Sequence, residues 1–213
     1  MASPAWAQTD KGPVEGTIES DRISFKGIPF AQAPVGALRW KPPQPVASWS
    51  GVRPATQFGN DCMQKARNAN TVGTSEDCLY LNVYKPLNAK AGDKLPVHVW
   101  IHGGAFSTGA ASNPLYDNMG DTSNGIVYVN LNYRLNAFGF LAHPGLTAES
   151  PDKASGNYGL MDQIAALKWV QANIAQFGGD PQQVTLSGES AGAASGGYLI
   201  ASPPARGLFK RVI

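Results

Sequence analysis

Gly188-Glu189-Ser190-Ala191-Gly192 is a G-x-S-x-G pentapeptide, the pattern of a nucleophile elbow, where a sharp strand-to-helix turn exposes a reactive serine. Alone it is a weak signal in a chain of 213 residues with 24 glycines, and its plain reading is a Gly/Ser turn with a solvated serine. The flanks supply context. Val184-Thr185-Leu186-Ser187 is a short β-prone run suited to a buried strand. Ala191 to Ile200 can continue as a helix, although its glycines weaken that helix in isolation. Glycine at 188 and 192 removes the Cβ atoms that would obstruct the serine turn and the close approach of the helix.

A second segment fits the first. Val97-His98-Val99-Trp100-Ile101 is an apolar β run ending in His102-Gly103-Gly104-Ala105-Phe106. A small-residue loop at the end of a strand is what an oxyanion-binding loop requires, because a backbone N–H must reach a developing negative charge without a side chain intervening. Two such motifs in this order, each following a strand, make coincidence a poor explanation.

The rest of the chain reads as α/β. Short antiparallel strands are expected over Val14 to Phe30, a Pro-rich surface segment over Pro29 to Pro54, and strands over Cys78 to Tyr84 and Ile126 to Asn132. Leu160, Ile164, Leu167, Val170, Ile174 and Phe177 recur at helical spacing and predict one apolar face, with Gly178-Gly179 ending the helix. This helix and its neighbouring strands predict a parallel βαβ unit leading into the elbow. No second domain boundary is visible. A net charge of +2, with 15% charged residues, gives no basic face for nucleic acid or an anionic membrane. No apolar run approaches the length of a membrane helix. Neither cysteine has histidine or a second cysteine pair at zinc spacing, so no metal is expected. Ala5-Trp6-Ala7 before Gln8 resembles a signal-peptide cleavage site without its basic and apolar regions. Residues 1–10 are therefore expected to be a disordered leader remnant, with an ordinary frayed terminus as the alternative.

Longer stretches resemble the type B carboxylesterase family, the cholinesterase-like branch of the α/β-hydrolases. They are Phe177-Gly178-Gly179-Asp180-Pro181 through Gly192, Glu76-Asp77-Cys78-Leu79-Tyr80-Leu81-Asn82-Val83-Tyr84-Lys85-Pro86, Gly27 to Ala31, Asn132 to Leu135, and Gly156 to Gln163. The resemblance implies an α/β-hydrolase fold with a mostly parallel central sheet and flanking helices, cut off after the helix that follows the elbow. It implies that residues 1–213 are the N-terminal part of one such domain, missing the C-terminal half.

It also implies a serine carboxylic ester hydrolase acting on small-molecule carboxylic esters. Ser190 is the nucleophile, Gly104, Ala105 and Ala191 form the oxyanion hole, and no cofactor is needed. The triad order in this fold is serine, acid, histidine, and no His, Asp or Glu follows Ser190 except outside this sequence. Glu76, Asp77 and Asp162 precede the nucleophile and do not fit as the acid. By resemblance Arg39 pairs with Glu76, Arg134 pairs with Asp162, and His102 orients the oxyanion loop. A disulfide between Cys62 and Cys78 is also implied by the family. It favours a secreted or periplasmic location, against the alternative of buried thiols in a cytosolic enzyme. Two other readings compete: an inactive truncated fragment, and a non-catalytic cholinesterase-like binding protein, which the intact elbow argues against.

Overall fold

The structure, a computed structural model, describes residues 5–65, 72–120 and 122–213. Its strands are β1 (Trp6–Gln8), β2 (Pro13–Glu15), β3 (Thr17–Ile18), β4 (Arg22–Pro29), β5 (Arg53–Pro54), β6 (Asp61–Cys62), β7 (Thr74–Ser75), β8 (Tyr80–Pro86), β9 (Leu95–Ile101), β10 (Val127–Leu131), β11 (Gly179–Gly188) and β12 (Arg211–Val212). The helices are α1 (Pro114–Asn118), α2 (Asn136–Phe140), α3 (Pro144–Glu149), α4 (Tyr158–Asn173) and α5 (Ala191–Ala201).

A seven-stranded sheet runs in the order β12-β11-β9-β10-β8-β4-β3. It is mixed: β12, β11, β9 and β10 are parallel, and β8, β4 and β3 join antiparallel. Connection length explains the split. The path from β10 to β11 passes through α2, α3 and α4, long enough to return the chain in the same direction, whereas β3 and β4 are joined by a tight turn. β10 and β11 flank β9 on opposite sides, so the crossover steps over one strand. The chain also goes further than the sequence suggested, since Arg211–Val212 pairs in parallel with Thr185–Leu186 after α5.

β9 alternates, with Val97, Val99 and Ile101 buried and His98 and Trp100 half-buried. The buried set merges with Val127, Val129 and Leu131, with Val184 and Leu186, and with Ala166, Leu167 and Val170 of α4. Each valine, leucine or isoleucine among them contributes about 1.5–3 kcal/mol by leaving water. The expected apolar face of α4 is rotated in its first half. Leu160 and Ile164 are only half-buried, and Gly159, Asp162, Gln163 and Ala166 face the core instead. Polar pairing turns the helix. Asp162 accepts from Arg134 Nε at 2.9 Å, from Arg134 Nη2 at 2.8 Å and from the Arg134 backbone N–H at 3.0 Å. Gln163 donates to Ser195 Oγ of α5 at 3.0 Å. Burial pushes the Asp162 carboxyl up, and the Arg134 hydrogen bonds and charge pull it back.

At the N-terminus, Trp6–Gln8 pairs antiparallel with Pro13–Glu15, and Ala7 is buried. Trp6–Gln8 is therefore a strand of a small sheet, and residues 5–10 are ordered where a disordered segment was expected, because Ala7 and Val14 pack into the core cluster. Residues 1–4 lie outside the described residues. Cys62 and Cys78 form a disulfide, and the chain-entropy model assigns about 3 kcal/mol to a loop of this size. Arg39 meets Glu76 in a two-pronged ion pair at the rim of that loop.

Asp162→Ala should strand a buried guanidinium and lower the unfolding free energy by about 3–5 kcal/mol, read from urea melts. Adding Arg134→Met should recover part of the loss. A cost below about 1 kcal/mol for the single change would show that the pair does not hold α4.

Candidate active site

The site begins with register. Ile101 sits opposite Gly188, and Trp100 opposite Ser187, so β9 and β11 release their chains side by side at the carboxyl end of the parallel sheet. Open α/β sheets bind ligands in this crevice. From β11 the chain turns through Glu189 and Ser190 into α5. Ser190 takes φ 56° and ψ −118°, a conformation costing a non-glycine residue about 1–3 kcal/mol. The turn is held from both sides: the Gly192 N–H donates to the Glu189 carbonyl at 2.8 Å, and the Ala194 N–H to the Ser190 carbonyl at 3.0 Å. Ser190 is exposed.

From β9 the chain enters His102-Gly103-Gly104-Ala105-Phe106. Here Gly104 has φ 113°, Ala105 54° and Phe106 56°, so the loop coils left-handed. The Gly104 carbonyl accepts from the Ser107 and Thr108 N–H groups, both at 3.0 Å. Among the described residues, the N–H groups of Gly104, Ala105 and Ala191 donate to no protein acceptor. The loop and the elbow touch through glycine. A Cβ on Gly103 would lie 2.5 Å from Glu189 Oε2 and 3.2 Å from Ser190 Cβ, and one on Gly192 would collide with the Ile101 carbonyl.

His102 is buried and stacks on Tyr133, with ring centroids 4.5 Å apart. Its Nδ1 bonds the Gly103 carbonyl at 2.8 Å, and Tyr133 Oη donates to the His102 carbonyl at 2.9 Å. Burial pushes this imidazole down to about 4, and the Gly103 hydrogen bond only partly opposes it. It is neutral at pH 7 and fixes the loop. His98 bonds Ser187 Oγ from within the sheet, and His143 caps α3. Among the described residues, no histidine hydrogen-bonds Ser190. Arg39, Glu76, Arg134 and Asp162 do not contact the elbow; their hydrogen bonds belong to the scaffold.

Three side chains near the site carry no sequence signature. Tyr116 of α1 lies 5.6 Å from the Trp100 ring. Burial and then the Glu189 carboxylate raise its phenol, while the Gly103 N–H lowers it, placing it beside the elbow. Gln64 and Asn136 bond the backbone of the loop. A separate cavity of about 670 Å³ lies between α4 and Pro42–Val46, and Ser190 does not line it.

The sequence model described as "Carboxylesterase family" matches residues 3–213. The fumonisin B1 esterase of Sphingopyxis macrogoltabida is 48% identical, over 100% of this chain and 41% of its own length. The para-nitrobenzyl esterase of Bacillus subtilis is 47% identical, over 96% of this chain and 42% of its own. Among solved structures, a Geobacillus stearothermophilus carboxylesterase superposes with TM-score 0.89 at 47% identity, over 98% of this chain and 42% of that one. The chain thus spans about two fifths of the length of the relatives it matches. It shares with them the α/β-hydrolase fold.

His102 generates a pH dependence. The unfolded chain takes up its proton near 6.5 and the folded chain only near 4, so stability is full above 6.5 and falls as pH drops toward 4. Its share should be about 2 kcal/mol by pH 5. Urea midpoints at pH 7 and pH 5 should differ less in His102→Gln than in the unsubstituted protein; an equal difference in both would refute the buried neutral imidazole.

Proposed function

The chain belongs to the carboxylesterase family, and from that premise we propose that it carries the nucleophile and oxyanion hole of a serine esterase. The observation that carries this reading is the meeting of two strand ends: Ser190 on its strained turn, and beside it a loop whose Gly104 and Ala105 amides are unspent. Ser190 Oγ attacks the carbonyl carbon of an ester. The resulting oxyanion accepts hydrogen bonds from the Gly104, Ala105 and Ala191 N–H groups, each worth about 3–4 kcal/mol in the transition state. Collapse expels the alcohol and leaves an acyl-enzyme, which water then hydrolyses to the acid and free Ser190.

The general base that takes the Ser190 proton, and the acid that orients it, are assigned to the part of the fold beyond these residues. Relatives that are more than twice as long have room for it. The substrate class is small-molecule carboxylic esters, in line with relatives named for fumonisin B1 and para-nitrobenzyl esters. A secreted or periplasmic location is part of the proposal, supported by the Cys62–Cys78 disulfide, which persists in oxidising surroundings.

A chimera of residues 1–213 with the C-terminal remainder of the para-nitrobenzyl esterase should hydrolyse a para-nitrophenyl ester, while residues 1–213 alone should stay near background. In the chimera Ser190→Ala should remove nearly all turnover and leave the thermal melt in place. An organophosphonate should label Ser190 alone by mass spectrometry. Turnover that survives Ser190→Ala, or an adduct on another serine, would overturn the assignment.

A further inference from the structure

The Cys62–Cys78 loop has no part in the chemistry above, yet it grips the loop that follows β9. Gln64 Nε2 donates to the Gly109 carbonyl at 2.8 Å, and Gln64 Oε1 accepts from the Gly109 N–H at 2.9 Å. A single side chain thus satisfies both ends of one glycine. Gly109 is no remote anchor: at φ 104° it lies so close to the His102-Gly103 peptide that a Cβ there would collide with the Gly103 carbonyl and His102 Nδ1.

The other end of this clamp is fixed. Gln64 follows Cys62, which is buried and cross-linked to Cys78, and its Nε2 also donates to the Cys62 carbonyl at 3.1 Å. The Cys78 carbonyl accepts from Asn132 Nδ2 at 3.2 Å, and Ser112 Oγ donates to Asp61 Oδ1 at 2.6 Å. A second amide closes the arrangement from α2. Asn136 Nδ2 donates to the Ser107 carbonyl at 2.8 Å and to the Met63 carbonyl at 3.2 Å. Gln64 therefore holds Gly109 directly, and Asn136, bridging Met63 and Ser107, ties the other end of the 107–109 segment to the same disulfide loop.

We infer that Gln64 is a positioning residue, which holds the Gly104 and Ala105 amides in register with Ser190 by clamping Gly109 from the disulfide-anchored loop. The inference rests on the oxyanion role proposed for those amides. Oxyanion donors stabilise the transition state only when they are held in place before the charge appears, within about 0.5 Å of the productive geometry. Without the clamp, the Gly109 peptide is free to lift from the His102-Gly103 peptide, and the donors follow.

Two arms test this. In the 1–213 chain, Gln64→Ala should speed amide hydrogen exchange across residues 102–109 by about ten- to thirtyfold, as the loss of two hydrogen bonds allows, and leave β9 unchanged. In the active chimera the same variant should lower kcat by about ten- to thirtyfold and keep KM within about twofold. Affinity for an aryl trifluoromethyl ketone, which mimics the tetrahedral oxyanion, should fall in step with kcat/KM. Gln64→Asn, one methylene short of Gly109, should behave the same way. Unchanged exchange at 102–109, exchange raised equally throughout the sheet, or an unchanged kcat in the active chimera would each overturn the inference. An inactive unsubstituted chimera would sink the esterase reading instead, and the exchange arm would still decide the clamp.

Discussion

Everything at this site depends on two strand ends meeting without side chains between them. β9 and β11 are neighbours in register, and each delivers its chain into the same crevice. Gly192 lies against the Ile101 carbonyl and Gly103 against Glu189 and Ser190, at separations that a Cβ would not permit. That contact sets the distance between a serine hydroxyl and a row of backbone donors. It also lets the structure sustain the Ser190 backbone strain, because the strand before it and the helix after it are both fixed by burial. Filling the gap by one methyl group would push the Ser190 turn and the 102–106 loop apart.

Charge is distributed to suit. The buried ionic pair, Arg134 with Asp162, ties α4 to the segment after β10 and stays away from the elbow. His102, on the loop that meets the Ser190 turn, is kept neutral by burial, so it orients that loop as an uncharged ring. In the proposed reaction the stabilising work falls to backbone dipoles, which need no protonation state and no reorganisation when charge develops.

Much of this was legible in the chain, for reasons that differ by feature. The elbow and the His102 loop depend on small residues at fixed offsets after apolar strands, a local pattern that one sequence can display. Carboxylesterase membership followed from several ordered motifs and is matched by the family model over residues 3–213. The first half of α4 departs from its apolar spacing because its core face carries Asp162 and Gln163, whose partners Arg134 and Ser195 are remote in sequence; apolar spacing cannot register a polar residue that is paired. The short strands at Trp6–Gln8 and Arg211–Val212 leave no signal in the sequence because a strand of two or three residues is made by its neighbour and not by its own pattern. Gln64 and Asn136 were invisible for the same reason, since each acts through a single amide on backbone far along the chain.

The most direct test of the account is a crystal structure of the active chimera after phosphonylation of Ser190. The phosphonyl oxygen stands where the oxyanion of the tetrahedral intermediate would stand. That oxygen should lie within about 2.7–3.1 Å of the Gly104, Ala105 and Ala191 nitrogens. An adduct on Ser190 whose oxygen points to solvent, with those amides turned elsewhere, would contradict it.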